Sequence, residues 1–66
     1  MIKLVEVTKG LSWEVLSGAN ETPIGTIYPS FGTLMFLEHG KTAWSADMLQ
    51  LVVNSMQALK QELGMP

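Results

Sequence analysis

The 66-residue chain has no cysteine and a single histidine, so it can build neither a disulfide framework nor a structural zinc site, the usual staples of small proteins. Arginine is absent as well. The four lysines face six acidic residues, for a net charge of -2, and the side chain best suited to bidentate recognition of phosphate or guanine is missing. Six scattered carboxylates are also too few to imitate the dense, regular charge of a DNA backbone. Charged residues make up only 15% of the chain, against about 25% in typical soluble domains. Long hydrophobic runs are lacking too: Leu34-Met35-Phe36-Leu37 is among the longest, far short of the roughly 20 residues a membrane span requires. Met1-Ile2-Lys3 opens on a strand-like pattern, without the basic and apolar regions of a signal peptide, which predicts a cytoplasmic location.

What is present is apolar surface. Hydrophobic residues are 47% of the sequence, in a single domain whose size lets it bury only about 60% of its unfolded surface. Without staples, the routes to stability are tight packing and oligomerisation.

Two short segments rich in β-branched and aromatic residues, Ile2 to Thr8 and Ser12 to Ser17, are separated by Lys9-Gly10-Leu11 and predict an antiparallel hairpin. Gly18 to Pro23 collects turn-forming residues and reads as an exposed loop. Ile24 to Tyr28 predicts a third strand, and Pro29-Ser30 with Gly32 turns the chain into a fourth, Thr33 to His39. Gly40-Lys41-Thr42 then leads to a helix over Ser45 to Leu63, with Ser45 as N-cap, Thr42 as the alternative cap, Asp47 in the first turn and Gly64 and Pro66 at the end. The expected fold is α+β: an antiparallel meander of three to four strands followed by one C-terminal helix packed on one face.

Alternation places Val5, Val7, Trp13, Val15, Ile27, Leu34 and Phe36 on the inner face of the sheet and Leu4, Leu16, Ile24, Tyr28, Met35 and Leu37 on the outer one. Exchanging the two faces changes nothing essential, because both are apolar. The helix has the same excess. At about 100° per residue, Leu49, Val52, Val53, Met56, Leu59 and Leu63 form one complete apolar stripe, and Met48, Leu51 and Ala58 lie beside it. The opposite side, Asp47, Gln50, Asn54, Gln57 and Gln61, is polar but nearly uncharged.

Signatures of catalysis are missing from this pattern. Glu38 and His39 are adjacent in a strand and should point to opposite faces. Glu6, Glu14 and Glu38 show no feature that would raise a carboxyl pKa, as a general acid requires. Ser12, Ser17, Ser30, Ser45 and Ser55 occur without a nucleophile elbow. Gly25 and Gly32 around Tyr28-Pro29 lack the strand-glycine-helix context and the lysine of a phosphate loop, and Gly25 reads as a position where a side chain is unwelcome, under Trp13 or Trp44. Trp13 and Trp44 are expected as core or interface anchors.

The layout, a strand meander with "IGTIYPSFGTLMFLEHG" followed directly by a helix opening "SADMLQLVVNSMQALKQEL", resembles small orphan proteins encoded by bacteriophages and mobile elements. That resemblance implies an accessory factor that binds a host or phage protein and carries no catalytic residues. The outline is also similar to sheet-reading DNA-binding domains of the integrase arm-binding type. The expectation is therefore a non-enzymatic interaction protein without cofactor or metal, and a homodimer, because its excess apolar surface, Met48, Leu51 and Ala58 on the helix with Tyr28, Met35 and Leu37 on the sheet, needs a second copy to cover it. The alternative is a small nucleic-acid-binding module that uses the sheet, with Lys3, Lys9 and Lys41 on phosphates.

Overall fold

A computed structural model describes residues 2–40 and 43–66. Strands β1 (Ile2–Thr8), β2 (Ser12–Ser17), β3 (Thr22–Ser30) and β4 (Thr33–Glu38) form one antiparallel sheet in the order β1-β2-β3-β4, and helix α1 (Ala46–Glu62) follows. The α+β meander read from the sequence is the fold. Strand β3 is longer than its apolar segment because it takes in Pro23 and Pro29, residues that a fully paired strand excludes. Each lies where β3 has one partner: β2 pairs with Thr22 to Ile27, and β4 with Gly25 to Ser30. Thr42, the alternative cap, lies outside the described residues.

Two β-bulges set which residues face the core. A hairpin with regular pairing back from Thr8 and Ser12 would set Val7 against Trp13 and Val5 against Val15, as simple alternation expects. Instead the register shifts between Glu6 and Thr8, so that Glu6 opposes Trp13 and Leu4 opposes Val15. One extra residue, Val7, turns the rest of β1 over. Ile2 and Leu4 pack on the core, while Val5 turns outward and Val7 stays 62% exposed. The Glu6 carboxylate supports this end of the hairpin by accepting from the Gly10 N–H at 3.0 Å. A second shift, between Val15 and Leu16, inserts Ile24 into β3 and packs it on the core rather than on the outer face. Both errors of face made by strict alternation therefore have the same cause.

The core is Trp13, Val15, Ile27 and Leu34 of the sheet with Val52 and Leu59 of the helix. Ser45 caps α1, its hydroxyl accepting from the Met48 N–H at 3.1 Å. At the other end Gly64, at φ 68°, donates to the Gln61 carbonyl and Met65 donates to that of Lys60, at 3.2 and 2.9 Å. This is a Schellman stop, and it returns Met65 to the core. Between these ends the buried line runs through Val52 and Leu59, with Met48, Ser55 and Met56 half-buried. It is rotated roughly 40° from the centre of the apolar stripe. Leu49 and Val53 are consequently 47% and 45% exposed, and Met48, expected on the outer flank, is half-buried. A helix with apolar residues around more than half its circumference does not fix by periodicity which part turns inward.

Gly25 controls how the helix reaches the sheet. A Cβ there would collide with the Phe36 ring and with the backbone carbonyl of Leu37, so the ring lies directly over the β3 backbone. Phe36 in turn meets Trp44 edge-on, with centroids 5.8 Å apart and planes at 88°. Phe36 thus occupies the place that the sequence suggested for Trp13 or Trp44. Because the carbonyl cannot yield, Gly25→Ala should lower stability by about 1–3 kcal/mol, measured as a fall in the urea midpoint at unchanged slope.

Candidate interaction surface

The second face of the sheet has no covering element among the described residues. Pairing defines its central row: Val5 opposes Glu14, Glu14 opposes Thr26, and Thr26 opposes Leu37. Beside that row lie Leu16, Tyr28 and Met35. Tyr28 and Leu16 are half-buried by their neighbours, whereas Val5, Met35 and Leu37 remain 39%, 41% and 57% exposed. Tyr28, Met35 and Leu37 are thus where the sequence placed them. Leu4 and Ile24 are not, and Val5 is the outer residue that strict alternation missed. Its outward turn follows from the bulge at Val7, for which the sequence gives no local signal.

Leu51 and Ala58 are exposed on α1, as expected. Ala58 lines an open groove of about 580 Å³ between helix and sheet, together with Leu4, Trp13, Leu59 and Leu63 and the carboxyl-bearing Glu6 and Glu62. The helix and the outer sheet face belong to opposite layers of a two-layer structure. One two-fold interface cannot cover both, so the six residues grouped by the sequence reading form two separate surfaces.

The polar groups are arranged for structure. His39 Nε2 lies 2.8 Å from the Thr26 hydroxyl on the outer face, and the His39 N–H donates to the Ile24 carbonyl at 2.9 Å. Glu38 belongs to the other face, opposite Gly25, so the two adjacent residues do not converge. Lys3 is ion-paired with Glu21 at 3.0 Å, both side chains being more than half exposed. Lys3 and Lys9 stand at opposite ends of β1 and its turn, and Lys41 lies outside the described residues. Among the described residues no polar or charged side chain is buried and no three metal-ligating groups cluster. Trp44 Nε1 is the one buried side-chain nitrogen or oxygen there without a hydrogen-bond partner. No helix among those residues is long and apolar enough to cross a membrane.

One exposed residue was not anticipated. Phe31 and Gly32 join β3 to β4 in a two-residue connection with φ of 54° and 76°, the backbone of a type I′ turn. Asn-Gly suits this turn. A bulky residue in the left-handed region is strained, and Phe31 is also 99% exposed. The tetrapeptide Ser30-Phe31-Gly32-Thr33 carried the signal, since a connection this short requires positive φ at its first position.

Compared with known proteins, the chain matches no family model, no curated protein and no solved structure.

The Phe31 side chain makes no packing contribution that would offset its backbone strain. Phe31→Asn should therefore raise stability by about 0.5–1 kcal/mol, visible as a higher melting temperature in a dilute sample.

Proposed function

We propose that this chain is a non-enzymatic interaction protein that acts as a homodimer in the cytoplasm and binds and modulates another protein. The observation that carries this reading is the outer sheet face, where Val5, Met35 and Leu37 are exposed beside Leu16 and Tyr28 with no element among the described residues to cover them. A small domain without staples has a stability of only about 3–5 kcal/mol, and covering each of these partly exposed side chains returns on the order of 1 kcal/mol. Self-association through the sheet therefore contributes substantially to the stability of the fold. Leu51 and Ala58, on the other layer, are left for a different protein, and the strained, exposed Phe31 offers that protein a rigid aromatic anchor. An accessory role that binds another protein is the one implied by the likeness in layout to small phage and mobile-element proteins.

Melting temperature should rise with protein concentration. Leu37→Glu should convert the dimer to a monomer of about 7.2 kDa by sedimentation, while Gln57→Glu on the polar side of the helix leaves it intact. A wild-type chain that sediments as a monomer at high micromolar concentration, with a concentration-independent melt, contradicts the proposal.

A further inference from the structure

The order of residues across the outer face specifies how two copies pair. Resting on the self-association proposed above, we infer that the second copy stacks face to face about a two-fold axis parallel to the strands, so that β1 of each copy covers β4 of the other. The central row reads Val5, Glu14, Thr26, Leu37 from edge to edge. Reversed over itself, it sets Val5 on Leu37 of the second copy and Glu14 on Thr26, so apolar meets apolar and a carboxylate meets a hydroxyl. One step further along, Tyr28 and Met35 come over Ser12 and Thr8 of the second copy. The two basic side chains of the face, Lys3 and His39, approach only at the open end, where Lys3 keeps its own Glu21 at 3.0 Å.

The other ways of applying a two-fold axis are less favourable. An axis across the strands lays each strand on its own copy, and with the face centres aligned it presses Glu14 against Glu14, desolvating two like charges. An axis perpendicular to the sheet joins edge strands and leaves Val5, Met35 and Leu37 of at least one flank in water.

The available area is sufficient. With strands about 4.8 Å apart and a rise of about 3.3 Å per residue, the face measures roughly 19 by 20 Å. Stacking two such faces with their projecting side chains removes on the order of 1,000 Å² of accessible surface, the lower bound for a specific interface. Per copy this is roughly a tenth of the 4560 Å² that the chain exposes, the usual share for a small protein.

The pairing is tested by charge exchange at Val5 and Leu37. They sit on opposite edges of one sheet, three strand spacings or about 14 Å apart, too far to pair within a chain. Leu37→Glu alone should weaken dimerisation roughly 100-fold, because it buries an unpaired charge, and Val5→Lys alone should weaken it by less, because Glu14 faces that position across the strands. The double variant Val5→Lys/Leu37→Glu should recover to within about tenfold of wild type, with an association that weakens as salt rises. Circular dichroism controls for folding. If both single variants dissociate and the double variant stays monomeric while folded, the axis assignment is overturned and self-association through this face stands. If neither single variant affects a dimeric wild type, the sheet face is not the interface. A wild-type chain that is monomeric throughout overturns the self-association itself.

Discussion

A helix about 10 Å across can cover only one side of a four-stranded sheet. That constraint bears here because the second side carries Val5, Leu16, Tyr28, Met35 and Leu37 among its polar residues. The core is complete once α1 lies on Trp13, Val15, Ile27 and Leu34, and no further element among the described residues covers Leu16, Tyr28, Met35 and Leu37. In a larger domain a second helix would take that place. A chain with no cysteine and few charges has neither a disulfide nor a dense set of ion pairs to offset the exposure, which is the ground for the self-association proposed above.

The contact between helix and sheet depends on absent atoms as much as on present ones. Gly25 leaves room for Phe36 to lie over β3, and Phe36 gives Trp44 an edge-on partner just before the Ser45 cap. The Schellman stop at Gly64 then brings Met65 back to the core. The helix is thus fixed at both ends and presents Val52 and Leu59 inward. Leu49 and Val53 are left exposed on one flank and Leu51 on the other.

Element order and type were legible from the sequence because turn residues separate short, well-patterned segments: Lys9-Gly10, the loop from Gly18 to Pro23, and the cap and stop of α1. The faces were less legible. Alternation carries phase along a strand only while pairing stays regular, and the bulges at Val7 and Ile24 each reset it. Leu4 and Val5 exchanged sides for that reason, whereas Tyr28, Met35 and Leu37, beyond any bulge, were assigned correctly. The helix stripe failed differently, since an excess of apolar residues leaves its rotation to be set by packing. Met48 is half-buried as a result. Phe31 was hidden because exposure at a turn tip follows from backbone conformation and not from hydrophobic pattern.

The central claim is that a second copy of the chain covers the outer sheet face. Its most direct test is an isotope-filtered nuclear Overhauser experiment on a sample mixed equally from labelled and unlabelled chains, which reports only proximities between copies. The account predicts intermolecular cross-peaks from the methyl groups of Leu37 to those of Val5, and from Met35 to Thr8, with none from Val52 or Leu59. Intermolecular peaks confined to Leu51 and Ala58 on the helix, or no such peaks in a sample of monomeric mass, would contradict it.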